Sequence, residues 1–177
     1  MGQMKIHREI INKVNAYIDD RRRRVYEKGE KAVHPRDLFE RCCHIEKFSG
    51  RMSDKIFSQL QSKLAKKEEP FTERLLRLID ESGMTDAEVY KRAGIDRKYF
   101  SKLRNEKERI PKAKVVYAFI FALGLGLGEA EKLLASAGYA VSPARDFGLV
   151  MEFCIIEGYD IDEVNEILLA MNLPPLT

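Results

Sequence analysis

Arg97, Lys98, Lys102 and Arg104 put four cations within eight residues, with Tyr99 and Ser101 between them. A guanidinium offers a flat two-pronged donor and an ammonium a compact point charge, and both suit phosphate. Ahead of this cluster, Ala93-Gly94-Ile95 reads as a tight turn in which Gly94 tolerates positive φ. Val89, Ile95, Phe100 and Leu103 are the apolar positions that would lock together a short helix on each side of that turn. The second helix then presents its cations outward, as a helix entering a DNA major groove must. The alternative for the same residues is an ordinary solvated, charged helix face.

Other chemistry finds less support. Cys42-Cys43-His44 has metal-ligand types, but adjacent residues on a helix point in different directions, and no second ligand pair at zinc spacing occurs. Three cysteines, two of them adjacent, suit a disulfide framework poorly. Reduced thiols are expected, one or two of them in a core, with no metal and no cofactor. Gly124-Leu125-Gly126-Leu127-Gly128 looks like a phosphate-cradling loop, yet it follows a helix, has no Lys-Ser/Thr and lacks the full dinucleotide spacing. His7, His34 and His44 all lie in the N-terminal part, and no carboxylate pair or nucleophile–base spacing stands out. An enzyme is not expected.

The chain has 177 residues, 45% hydrophobic and 33% charged, a soluble globular balance for one or two small domains. No apolar run approaches the roughly 18 residues of a membrane span, and Met1 to Ile11 lacks a signal-peptide core. A cytoplasmic protein with no membrane partner is expected. The net charge of +3 conceals a gradient. Lys and Arg outnumber Asp and Glu by 17 to 11 over residues 1–70 and by 12 to 8 over 71–116, whereas acids lead by 9 to 2 over 117–177. The basic half could face phosphate with the acidic part turned away; solvated surface explains the same gradient.

The elements that would position the cluster follow from periodicity and capping. Met4–Lys28 carries Ile6, Ile10, Ile11, Val14, Tyr17 and Ile18 at helical spacing, then Asp19-Asp20-Arg21-Arg22-Arg23-Arg24. Four consecutive arginines cover every direction around a helix. They are either solvated and paired to Asp19 and Asp20, or a contact for nucleic acid or an acidic protein. Pro35 opens a second helix reaching Phe48, Ser53 caps a third reaching Leu64, and Lys66-Lys67-Glu68-Glu69-Pro70 ends it. Residues 1–68 are therefore expected to form a helical three-helix unit, and 71–177 a second domain.

In that second domain Phe71–Ser82 turns Leu75, Leu76, Leu78 and Ile79 inward and stops at Gly83. Thr85-Asp86-Ala87-Glu88 is a capping box, and Asp96 caps the helix after the turn. Pro111 should open a nearly all-apolar helix ending at Leu123, followed by Glu129–Ala137 and by a helix starting at Ser142-Pro143. A second capping-box pattern, Asp160 to Glu163, opens the last. No segment alternates with period two for long enough to argue a strand, so the fold class is all-α.

Residues 72–134 resemble the lambda-repressor-like (XRE-type) helix-turn-helix family in order and spacing. Thr85–Glu88 matches the start of its second helix, Gly94-Ile95 its turn, and Phe100-Ser101 with Leu103 its recognition helix. Pro111, Val115, Val116, Phe119, Ala122, Leu123 and Leu125 match its fourth helix and the ending after it. The resemblance implies a lambda-repressor-like helix-turn-helix bundle for this segment. Periodicity places the three-helix N-terminal unit before it, and the family's usual length does not explain the helices after Gly138. The expected architecture is therefore an N-terminal three-helix unit followed by that bundle with extra C-terminal helices. The resemblance also implies base contacts from Arg97, Lys98, Tyr99 and Ser101, and phosphate contacts from Thr85, Lys91, Arg92, Lys102, Arg104 and Lys112. Two positions depart from the family pattern. Asp86 stands where a Gln near a phosphate is common, and Tyr90 where a small Ala lets the two helices approach.

The function implied is that of a bacterial-type DNA-binding transcriptional regulator acting on double-stranded DNA, as a homodimer reading paired half-sites. The competing expectation is a protein-interaction adaptor in a bacterial signalling or phage-defence system, which keeps the fold and binds a protein through the N-terminal unit or Arg21–Arg24.

Overall fold

The computed structural model describes residues 8–27, 69–106 and 109–176, and among them every regular element is helical. In chain order these are α1 (Arg8–Glu27), α2 (Phe71–Ser82), α3 (Asp86–Arg92), α4 (Arg97–Asn105), α5 (Ala113–Leu123), α6 (Leu127–Ser136), α7 (Asp146–Glu157) and α8 (Ile161–Ala170). The helices expected from Pro35 and Ser53 lie outside the described residues, as do Cys42-Cys43-His44, His7 and His34. None of the described helices is long and apolar enough to cross a membrane.

Contacts divide the chain into one compact unit of Met1–Arg22 with Glu69–Thr177 and another of Arg23–Glu68. Only the end of α1 is described in the second. In the first, α5 is the central rod, with Val116 through Ala122 all buried and Phe119 fully enclosed. It packs against α2, α3, α6 and α8. A helix apolar on every side is stable only when other helices cover every side, and this explains its position.

α1 enters the same core. Val14 and Ile18 are buried in it, and the Tyr17 ring lies 5.4 Å from Phe153 of α7. Beyond Ile18 the contact becomes ionic: Arg21 donates to Glu152 at 2.6 Å, and Arg22 pairs with Asp146. Arg21 and Arg22 of the four-arginine run are therefore taken up within this unit.

α7 is buried almost all round, from Gly148 to Ile155. It begins at Asp146, three residues after the expected Ser142-Pro143 start. The Ser142 segment instead folds back over the helix, and a Cβ on Gly148 would sit 2.2 Å from the Ser142 carbonyl oxygen. Only glycine permits that approach. α5 likewise begins later than expected, at Ala113, with Lys112 as N-cap; the Pro111 carbonyl accepts from the Tyr139 hydroxyl at 3.0 Å. Cys154 is a buried thiol whose pKa burial pushes up to about 12, so it packs as a small apolar group.

Candidate nucleic-acid interface

α3 and α4 are built as short helices because both starts are capped. The Thr85 hydroxyl accepts from the Glu88 amide at 3.3 Å and donates to the Glu88 carboxylate at 2.8 Å. That carboxylate also accepts from the Thr85 amide, and these bonds hold its pKa below the ordinary value. Asp96 accepts from the amides of Lys98 and Tyr99. Gly94, at φ 63°, makes the turn between the two helices in the left-handed region.

The inner side of α4 is fixed at several points. Phe100 and Leu103 are buried with Val89, and Ile95 packs against the same core. Tyr90, which the family pattern would make small, sets its ring 5.7 Å from Phe100, and Phe100 in turn meets Phe119 edge-on at 6.0 Å. The buried Thr72 hydroxyl donates to the Leu103 carbonyl at 3.2 Å, tying α2 to the far end of α4. Arg104 pairs with Asp86 and so joins the last turn of α4 to the first turn of α3.

What remains on the outside is an exposed row: Arg97, Lys98, Ser101 and Lys102. Arg97 and Ser101 are four residues apart, as are Lys98 and Lys102, so they form two adjoining stripes on one face. Among the described residues, no hydrogen bond or ion pair occupies these side chains. This is a helix with a buried back and a cationic front. Residues 74–134, from within α2 to within α6, match the family of Cro/C1-type HTH DNA-binding domains. Neither the curated proteins nor the solved structures yielded a match.

Within the Cro/C1-type segment, the other expected contacts fall in different surroundings. Tyr99 is half-buried, with the Arg109 guanidinium 5.4 Å from its ring centre. Thr85 is exposed, but the single O–H donor of its hydroxyl, which a phosphate would need, is given to Glu88. Lys91 and Arg92 are exposed at the end of α3, where they line a cleft of about 530 Å³ with Asp160 and Asp162 of the C-terminal helical pair. Lys112 is exposed at the start of α5. Arg104 is half-exposed and shares its charge with Asp86.

Thr72 and Arg109 carry roles that sequence reasoning did not assign. Thr72 sits among apolar inward positions with nothing to mark its hydroxyl as a tether. Arg109 lies in a loop, where periodicity gives no direction; only its charge, ten residues after Tyr99, could have drawn notice.

Proposed function

We propose that this protein is a DNA-binding regulator in which α4 enters the major groove and reads base edges through Arg97, Lys98 and Ser101. The observation that carries this reading is the exposed stripe Arg97, Lys98, Ser101 and Lys102 on a helix whose opposite side is locked. The match of residues 74–134 to a DNA-binding family supports it. Arg97 suits a guanine edge, because its guanidinium offers two parallel donors; Lys102 and Lys112 suit phosphates, where a point charge suffices. Tyr99 contributes by stiffening the start of α4 beneath Arg109. A homodimer would place two such helices on half-sites about one helical turn apart, and the setting of such a regulator is the cytoplasm.

Duplex selection from a random pool, followed by affinity across a salt series, tests this. Selected sequences should share a motif. The double-logarithmic salt slope should be about −3 to −4 per subunit, as expected when about four cations displace counterions. Equal affinity for selected and unselected duplexes would overturn the reading.

One group of observations favours a second reading, a protein-interaction adaptor of bacterial signalling or phage defence. Asp86 takes up Arg104, Glu88 takes up Thr85, and Asp160 and Asp162 stand beside Lys91 and Arg92. All three lower the positive potential that a phosphate backbone requires. Absence of duplex binding at low salt, with one stoichiometric protein captured by the full chain, selects this alternative.

A further inference from the structure

The family match ends at residue 134, yet the chain comes back to the helix-turn-helix at its far end. After α8, Asn172 adopts φ 54° and Leu173 donates to the Leu168 carbonyl at 2.8 Å, which turns the chain off the helix. The segment that follows, Leu173–Leu176, has no regular structure but is held at three points. Lys114 of α5 donates to the Pro175 carbonyl at 2.6 Å, and the Leu176 amide donates to the Asn165 side chain at 2.7 Å. The Leu176 side chain is buried in the core, at 9% exposure. There it lines a cleft of about 290 Å³ with Ile95, Asp96, Tyr99, Val115 and Ala118. Pro174 and Pro175 have no amide hydrogens to satisfy and little freedom to lose, so this short segment is cheap to order.

The residues across that cleft are the turn between α3 and α4 and the first turn of α4 on one side, and α5 on the other. We propose that Leu173–Leu176 is a strap that sets the pose of the recognition helix, with Leu176 as the positioning residue and Lys114 as its buckle. Through it the helical pair α7–α8 is coupled to α4, and a partner that pulls the strap away changes how α4 meets DNA. The coupling rests on geometry within the fold; its consequence for DNA rests on the function proposed above.

Two readouts on the full chain separate these. In Leu176→Ala, backbone amide chemical shifts of Ile95–Phe100 should move while those of α6 stay in place. Affinity for the selected duplex should fall roughly five- to tenfold, comparable with losing one well-aligned base contact. Leu176→Met should restore both, because it refills the same volume. Lys114→Met keeps the apolar wall and should shift the same α4 amides more weakly, which keeps the test available if Leu176→Ala does not fold. Shifts confined to the strap itself, or spread evenly over all helices, overturn the proposal. If the α4 amides move but the unaltered chain binds no duplex, the strap stands and the DNA reading falls.

Discussion

Arg104 donates to Asp86 across the helix-turn-helix, joining the last turn of α4 to the first turn of α3. The pair explains how a carboxylate is tolerated at a position where the family pattern favours an uncharged amide: its charge is met within the motif. Both side chains are partly in water, at 55% and 34% exposure, so the pair contributes only about 0.5 kcal/mol to folding. Its larger effect is on DNA. Asp86→Gln removes one negative charge from the face and releases Arg104, and should raise duplex affinity roughly fivefold, the effect of about 1 kcal/mol from one screened charge. Thermal unfolding should hardly change. An unchanged affinity would show that α3 stays far from the backbone.

Much of this arrangement was legible in the sequence, for local reasons. The Thr85 and Asp160 boxes, the Asp96 cap and the Gly83 and Gly94 turns are set by residues within four positions of each other, and each forms as expected. The buried apolar row of α5 follows from composition alone. What could not be read depends on contacts distant in sequence. Asp86 reads as a repulsive charge until Arg104, 18 residues on, is placed beside it. Tyr90 reads as an obstacle until its ring is found against Phe100. The later start of α7 reflects a packing choice at Gly148, where the preceding loop crosses the helix, and no capping signal anticipates it.

The capping box of α3 gives a pH dependence with a definite sign. The Glu88 carboxylate is held below its ordinary value of 4.5, chiefly by the Thr85 amide and then by its hydroxyl. A lowered folded-state pKa means stabilisation that is complete above the unfolded value and lost as pH falls through the folded one. Glu88→Ala should therefore lower Tm at pH 7, and the gap to the unaltered chain should close as pH drops below the ordinary carboxylate range. A gap that stays constant down to pH 2 contradicts an ionised Glu88 in the box.

Arg21 and Glu152 hold α1 at a costly point. Glu152 is 5% exposed, its Oε2 makes no hydrogen bond among the described residues, and Arg21 is the cation paired with its Oε1. Tyr117, beside the same carboxylate, has its pKa pushed up to about 12, mainly by burial. Arg21→Met leaves the carboxylate stranded and should cost about 2 kcal/mol. That is less than the 3–5 kcal/mol of a fully buried pair, because Arg21 itself is 39% exposed. Adding Glu152→Leu should recover most of the loss in urea unfolding. No recovery in the double variant would mean that the pair is not the determinant of α1 docking.

DNA recognition by α4 is tested most directly by Arg97→Ala combined with Lys98→Ala. Both side chains are exposed and have no hydrogen-bond or ion-pair partner among the described residues, so Tm should stay within a degree or two, as is usual for surface changes away from caps and ion pairs. The measurement is the affinity ratio between the selected duplex and a scrambled one, at fixed salt, for the unaltered and doubly altered chains. If α4 reads bases, the ratio collapses to about one in the variant while residual binding through phosphate contacts remains. If the ratio survives intact, Arg97 and Lys98 do not read DNA and the recognition surface lies elsewhere.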